Sequence, residues 1–134
     1  MTAPTDRIIV LEAFEHVHPD RCTDYEAASQ AIDDLARETE PGMLVHALTV
    51  HARADDRVTY RWLEVFTDAA ALEAHFASLH VQAHGAKLND GILLSPVEIL
   101  LYVDWSEAEK VEINTRLGGA LKFAEVRSGF YRPE

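Results

Sequence analysis

Apolar residues in this chain fall in short runs whose period switches between two and about four. Residues 7–17 (RIIVLEAFEHV) are rich in β-branched and aromatic side chains and predict a strand that ends before Pro19. A helix is predicted over about residues 24–39. Thr23-Asp24-Tyr25-Glu26 fits a capping box, Tyr25, Ala28, Ile32, Leu35 and Ala36 recur at helical spacing, and Glu40-Pro41-Gly42 ends the pattern. Residues 43–52 (MLVHALTVHA) and 57–67 (RVTYRWLEVFT) predict a hairpin around a polar turn at 53–56. Asp68 can cap a second helix, expected as one piece to about residue 84 with a looser continuation to Asn89. After the turn Asn89-Asp90-Gly91, residues 93–104 (LLSPVEILLYVD) predict a fourth strand with Pro96 near its start. Ser106-Glu107-Ala108-Glu109 forms a second capping box and opens a third helix over about 107–117, which Gly118-Gly119 interrupts. Phe123, Phe130 and Tyr131 suggest that the tail docks on the remainder.

The order β-α-β-β-α-β plus a C-terminal helix is the ferredoxin-like, split-βαβ arrangement of an α+β domain. It predicts a four-stranded antiparallel sheet with two helices on one face. Residues 1–106 form this domain, and 107–134 extend it by a helix and tail.

Strand parity sorts the sheet into two faces. One collects Ile9, Leu11, Ala13, Leu63, Val65, Val97, Ile99, Leu101 and Val103 and is expected under the helices. The other collects Ile8, Val10, Phe14, Val58, Tyr60, Trp62, Phe66, Leu100 and Tyr102, together with Glu12, Glu64 and Glu98. Large rings are a poor choice for a wet surface, and two helices cannot cover both faces. A second copy of the chain is therefore expected on that face, as a two-fold homodimer. A C-terminal segment folded back over it is the alternative.

Charge narrows the partners. With 23 Asp+Glu against 12 Lys+Arg, the formal net charge is -11, which repels a polyphosphate and argues against nucleic acid. No run approaches the roughly 20 apolar residues of a membrane span, and no signal peptide is visible, so a cytoplasmic location is expected. Cys22 is the single cysteine and leaves no intrachain disulfide.

One ordered set of short motifs resembles the antibiotic-biosynthesis monooxygenase family. It comprises Glu40-Pro41-Gly42, then the strand end Trp62-Leu63-Glu64-Val65-Phe66-Thr67-Asp68, then Ala71-Leu72-Glu73-Ala74-His75, then Ser78-Leu79-His80. The resemblance spans roughly residues 7–103 and implies a dimeric α/β barrel with small aromatic, often polyketide-like, ligands. Some members oxidise quinols with dioxygen and neither metal nor flavin, the substrate phenolate donating the electron. The chain departs from the usual pattern at Phe66, where many relatives place Trp, and in its C-terminal extension.

The resemblance makes His75 and His80 the candidate catalytic residues, for substrate orientation or proton transfer; a histidine fixing a helix end is the structural alternative. On one continuous helix the two would flank the apolar stripe of Leu72, Phe76, Leu79 and Ala83. His46, Tyr60, Trp62, Glu64, Phe76 and His84 are the candidate substrate-binding residues. His46 and His51 have opposite parity, so one can face a pocket and the other solvent. Glu64 either pairs with an arginine across the dimer or serves as a base; Arg61, of opposite parity to Glu12, Glu64 and Glu98, is no obvious mate for these carboxylates. His80 and His84 stand i,i+4, but without the Glu of an H-E-x-x-H run no metal site is expected. No phosphate loop or G-x-S-x-G run appears, and no cofactor is expected. Three functions compete: a cofactor-independent monooxygenase of a small hydroxylated aromatic or quinol, a non-redox cyclase or isomerase of the same fold, and a ligand-binding module. Haem degradation, with His84 as iron ligand, is a more distant option.

Overall fold

The structure, a computed structural model, describes residues 8–128, so that Phe130 and Tyr131 lie outside the described residues. Strand β1 (Ile9–Val17) leads through a 3-10 turn at Pro19–Arg21 into helix α1 (Cys22–Thr39). Proline presets the first turn, so the helix is entered before Thr23, and the capping box expected there does not form. Strands β2 (Met43–Ala54) and β3 (Arg57–Phe66) pair up to Ala54 and Arg57, which leaves a turn of only Asp55 and Asp56. The predicted second helix is two helices, α2 (Ala69–Ala77) and α3 (Leu79–Leu88), separated by an extended Ser78. Asp68 caps the first, its carboxylate accepting from Ala71 N at 2.8 Å. Strand β4 (Glu98–Tyr102) is shorter than expected and begins only after Pro96. The predicted capping box at Ser106 and Glu109 opens α4 (Glu107–Arg116).

A fifth strand corrects the expected count of four. Gly118 and Gly119, at φ of 100° and 84°, turn the chain back, and β5 (Leu121–Phe123) pairs parallel with β4. The sheet order is β2-β3-β1-β4-β5, with the other pairs antiparallel. The C-terminal extension thus widens the sheet, and Trp105, Ile113 and Leu121 join the main core.

The sorting of faces holds for β1 and β4 and fails for β3. Leu11 pairs with Glu64, Ala13 with Trp62 and Glu15 with Tyr60, so the even residues of β3 share the face of the odd residues of β1. Tyr60, Trp62, Glu64 and Phe66 lie buried beneath the helices, while Leu63 and Val65 face the other way. Parity within a strand fixes its two faces but not which face meets a neighbour, because register sets that.

The face away from the helices carries Val10, Phe14, Leu63, Val65 and Leu100, all half-buried within one chain. Arg61, set aside above as a mate, bonds Glu12 on this face, and the Tyr102 hydroxyl also donates to Glu12. His51 packs edge-on to Phe14 here, at 5.1 Å between centroids. Glu64 and His46 are on the opposite, helix-covered side.

Candidate functional site

A cavity of about 130 Å³ lies between the helices and the sheet. Leu11, Ala13 and Ile99 form its floor, and Ile32, Val81 and Leu88 close its helical side. Into this apolar space project the polar ends of Glu15, His46, Trp62, Glu64, His75 and His84, with Phe76 beside them. Few convergent polar groups in an apolar recess are what a small-molecule site requires.

The His75 side chain on α2 is 6% exposed and touches a carboxylate on either side. Its Nδ1 lies 2.8 Å from Glu40 Oε1, and its Nε2 lies 3.3 Å from Glu64 Oε1. Donation from Nδ1–H to Glu40 leaves the lone pair on Nε2, the nitrogen beside Glu64; both side chains line the cavity. Glu40 is held close by packing: a Cβ on Gly42 would come within 2.6 Å of the Ala71 Cβ. Glycine therefore lets the α1–β2 turn approach α2, and Gly42 O accepts from Thr67 N at 2.8 Å. His80 reaches the same carboxylate from α3, its Nε2 lying 2.6 Å from Glu40 Oε2.

His46 stacks on Trp62 at 4.1 Å and donates from Nδ1 to Asp33 Oδ1 at 2.6 Å. Trp62 Nε1–H donates in turn to Glu15 Oε1 at 3.0 Å, and the Tyr25 hydroxyl donates to the same oxygen at 2.7 Å. The indole and imidazole planes are thereby locked as a flat wall.

Burial governs the protonation of these groups. It pushes the Glu64 carboxyl up to about 8, with the negative charges of Glu15 and Glu40 adding to the effect. Burial also raises Glu15, against the opposing bonds from Tyr25 and Trp62. It lowers His75 despite Glu40, and His46 despite Asp33. His84 falls to about 4 through burial and the nearby His46, Lys87 and His75. Near neutrality the cavity is thus walled by uncharged imidazoles and an uncharged Glu64 carboxylic acid.

Of the eight candidate residues, His46, Trp62, Glu64, His75, Phe76 and His84 line the cavity. His80 lies behind it, on Glu40, and His80 and His84 go to different surroundings. Tyr60 packs at a tilt against Tyr25, 4.4 Å between ring centroids, and bonds Glu26, away from the cavity lining. Sequence reasoning missed Glu15, Asp33 and Glu40. Glu15 had a signal, since it interrupts the buried alternation Ile9, Leu11, Ala13, Val17 with a carboxylate. Glu40 served only as part of a helix stop, and Asp33 carried no signal.

A ferredoxin-like sheet with a small cavity of imidazoles and carboxyl groups beneath its helices defines a class of compact α+β domains. The profile of the antibiotic biosynthesis monooxygenase family matches residues 7–87, and the chain belongs to that family. Solved structures agree on the fold. A candidate antibiotic biosynthesis monooxygenase from Caulobacter crescentus CB15 is 23% identical, with a TM-score of 0.66 over 77% of this chain and 93% of that one. MupZ from Pseudomonas fluorescens is 16% identical, with a TM-score of 0.73 over 95% and 96% of the two chains. PA3566 from Pseudomonas aeruginosa is 23% identical, with a TM-score of 0.60 over 78% and 100%. Among functionally curated proteins none matches the chain. Among the described residues no helix is long and apolar enough to cross a membrane.

Proposed function

We propose that this chain is a monooxygenase that oxidises a small hydroxylated aromatic or quinol with dioxygen, needing neither metal nor flavin for the chemical step. The observation that carries this reading is His75, a cavity-lining residue whose Nδ1 is engaged by Glu40 at 2.8 Å while its Nε2 lies beside Glu64, another lining residue. A substrate hydroxyl passes its proton to Nε2, and Glu40 stabilises the imidazolium through Nδ1–H. The neutral Glu64 carboxyl, 3.3 Å from Nε2, supplies a hydrogen bond to the oxygen left behind. The phenolate gives an electron to dioxygen. One oxygen atom ends as a new ring carbonyl, and the other leaves as water with the two hydrogens removed from the substrate. Dry walls keep the intermediate from solvent.

Volume limits the substrate. A cavity of roughly 150 Å³ holds benzene, so about 130 Å³ suits a single ring lying against the His46–Trp62 wall. It does not suit a haem, despite His84 in the lining. The working unit in this reading is a cytoplasmic homodimer joined through the face of Val10, Phe14, Leu63 and Leu100.

Oxygen uptake by metal-depleted protein with a panel of single-ring quinols tests the reading. We expect one dioxygen consumed per substrate, and a loss of roughly 100-fold or more in kcat/KM for His75→Ala. Turnover that proceeds equally well without oxygen would overturn it in favour of the second reading, a cyclase or isomerase. That reading is favoured by one feature: a neutral acid (Glu64) and an unprotonated imidazole nitrogen side by side, an arrangement suited to moving a proton between substrate atoms. Saturable binding without turnover in either atmosphere would leave a binding module.

A further inference from the structure

Glu40, His75 and His80 come from three separate elements, yet one carboxylate joins both imidazoles. Their nearest ligand atoms, one from each residue, all lie within 4.8 Å of one another. The Glu40 and His80 side chains are 10% and 16% exposed, so the cluster is sheltered but reachable from the helix side. Two imidazole nitrogens and a carboxylate oxygen form the donor set of an open zinc-type site, in which three protein ligands leave a fourth position free. A ligating histidine commonly donates its other ring N–H to a carboxylate. His75 has such a partner: Glu64 Oε1 lies 3.3 Å from Nε2, on the side away from Glu40.

We propose that Glu40, His75 and His80 form a binding site for one Zn2+-like divalent cation, and that its occupation reverses the face His75 shows to the cavity. Without the cation, His75 carries its proton on Nδ1, for Glu40, and presents a lone pair from Nε2. With the cation on Nδ1, the proton moves to Nε2, which then donates towards Glu64. The side chain that accepts a proton in one state can only donate in the other. The cation lies behind His75 as seen from the cavity and touches no substrate. It acts as a brake on the chemistry proposed above, and the inference rests on that reading only for the consequence, not for the binding.

The test uses the full chain, stripped with a chelator and dialysed. Calorimetric titration with Zn2+ should give one saturable equivalent per chain, and Co2+ should bring up a visible d–d absorption. His80→Ala should remove both signals while its circular dichroism spectrum stays native. Glu64→Leu, which leaves all three ligands in place, should weaken Zn2+ binding by roughly 10- to 100-fold. Long-range 1H–15N spectra of the histidine rings should show His75 protonated on Nδ1 before zinc and on Nε2 after it. Absence of a saturable equivalent in the wild type would overturn the site, as would undiminished binding by a folded His80→Ala. An unchanged His75 tautomer in the zinc-loaded protein would overturn the reversal. Oxygen uptake by the stripped protein is measured separately and decides the oxygenase reading, so the two can fail independently.

Discussion

Gly85 offers a direct probe of whether the cavity is where the ligand goes. It sits in the interior of α3, lines the cavity, and is not among the described glycines with positive φ. A Cβ placed there meets nothing within 4 Å. Neither conformation nor crowding therefore demands glycine, and the remaining reason is open space. Gly85→Ala should stabilise the helix by about 0.8–1 kcal/mol, the ordinary difference between glycine and alanine in a helix interior. Unfolding entropy runs at roughly 2.1 cal/mol/K per residue; over 134 residues this is about 0.28 kcal/mol/K. The melting temperature should rise by about 3–4 °C on thermal scans followed by circular dichroism. Gly85→Leu projects a branched side chain into a space of only about 130 Å³ and should abolish calorimetric binding of single-ring phenols while the protein stays folded. A lower melting temperature for the alanine variant would refute the open space at Gly85. Undiminished phenol binding by a folded leucine variant would place the ligand elsewhere.

Other expectations follow from burial and charge. Leu72 is fully buried at the base of α2, so Leu72→Ala should cost about 2–5 kcal/mol in urea unfolding, and a loss under 1 kcal/mol would contradict its packing. His84 titrates near 4 when folded against an ordinary value of 6.5, so the unfolded chain takes up its proton first as pH falls. Its contribution to stability is present above about pH 6.5 and is lost as pH drops towards 4; ring chemical shifts should stay flat from pH 8 to 5.5, and a midpoint near 6.5 would refute this. Glu15 is raised above 4.5, so its contribution is present below that pH and fades as pH rises through its folded value. Glu15→Gln should flatten this alkaline-side decline in the urea midpoint, and an unchanged pH profile would count against a raised Glu15.

How much of this could be read in advance depended on the range of the interaction. The elements follow from local pattern: alternation drew β1 and β3, and turn residues placed the hairpin and the end of α4. The β3 facing was misread because the aliphatic Leu63 and Val65 look more core-like than Tyr60, Trp62 and Glu64. The deciding fact, Leu11 opposite Glu64, is a register between strands some fifty residues apart in the chain. Strand β5 was missed for a similar reason. Three residues are too few for a periodic signal, and their partner, β4, is found only after α4 has turned the chain back. Six of the cavity-lining side chains could be named from residue type, strand parity and the family resemblance, whereas Asp33 and Glu40 became visible only as partners of the histidines.

The break at Ser78 shows why the cluster of Glu40, His75 and His80 had to be missed. On an unbroken helix, His75 and His80 would project about 140° apart at 100° per residue, flanking the apolar stripe and sharing nothing. Ser78 instead takes ψ of 146°, its hydroxyl donating to His75 O at 2.7 Å and accepting from Val81 N at 3.3 Å. One residue thus ends α2 and caps α3, and the change of direction brings His80 round to the carboxylate that already holds His75. The same Ser-x-His spacing that resembles the family's motif acts here as a hinge in the backbone, with the shared Glu40 fixing His75 in the orientation its proposed chemistry needs.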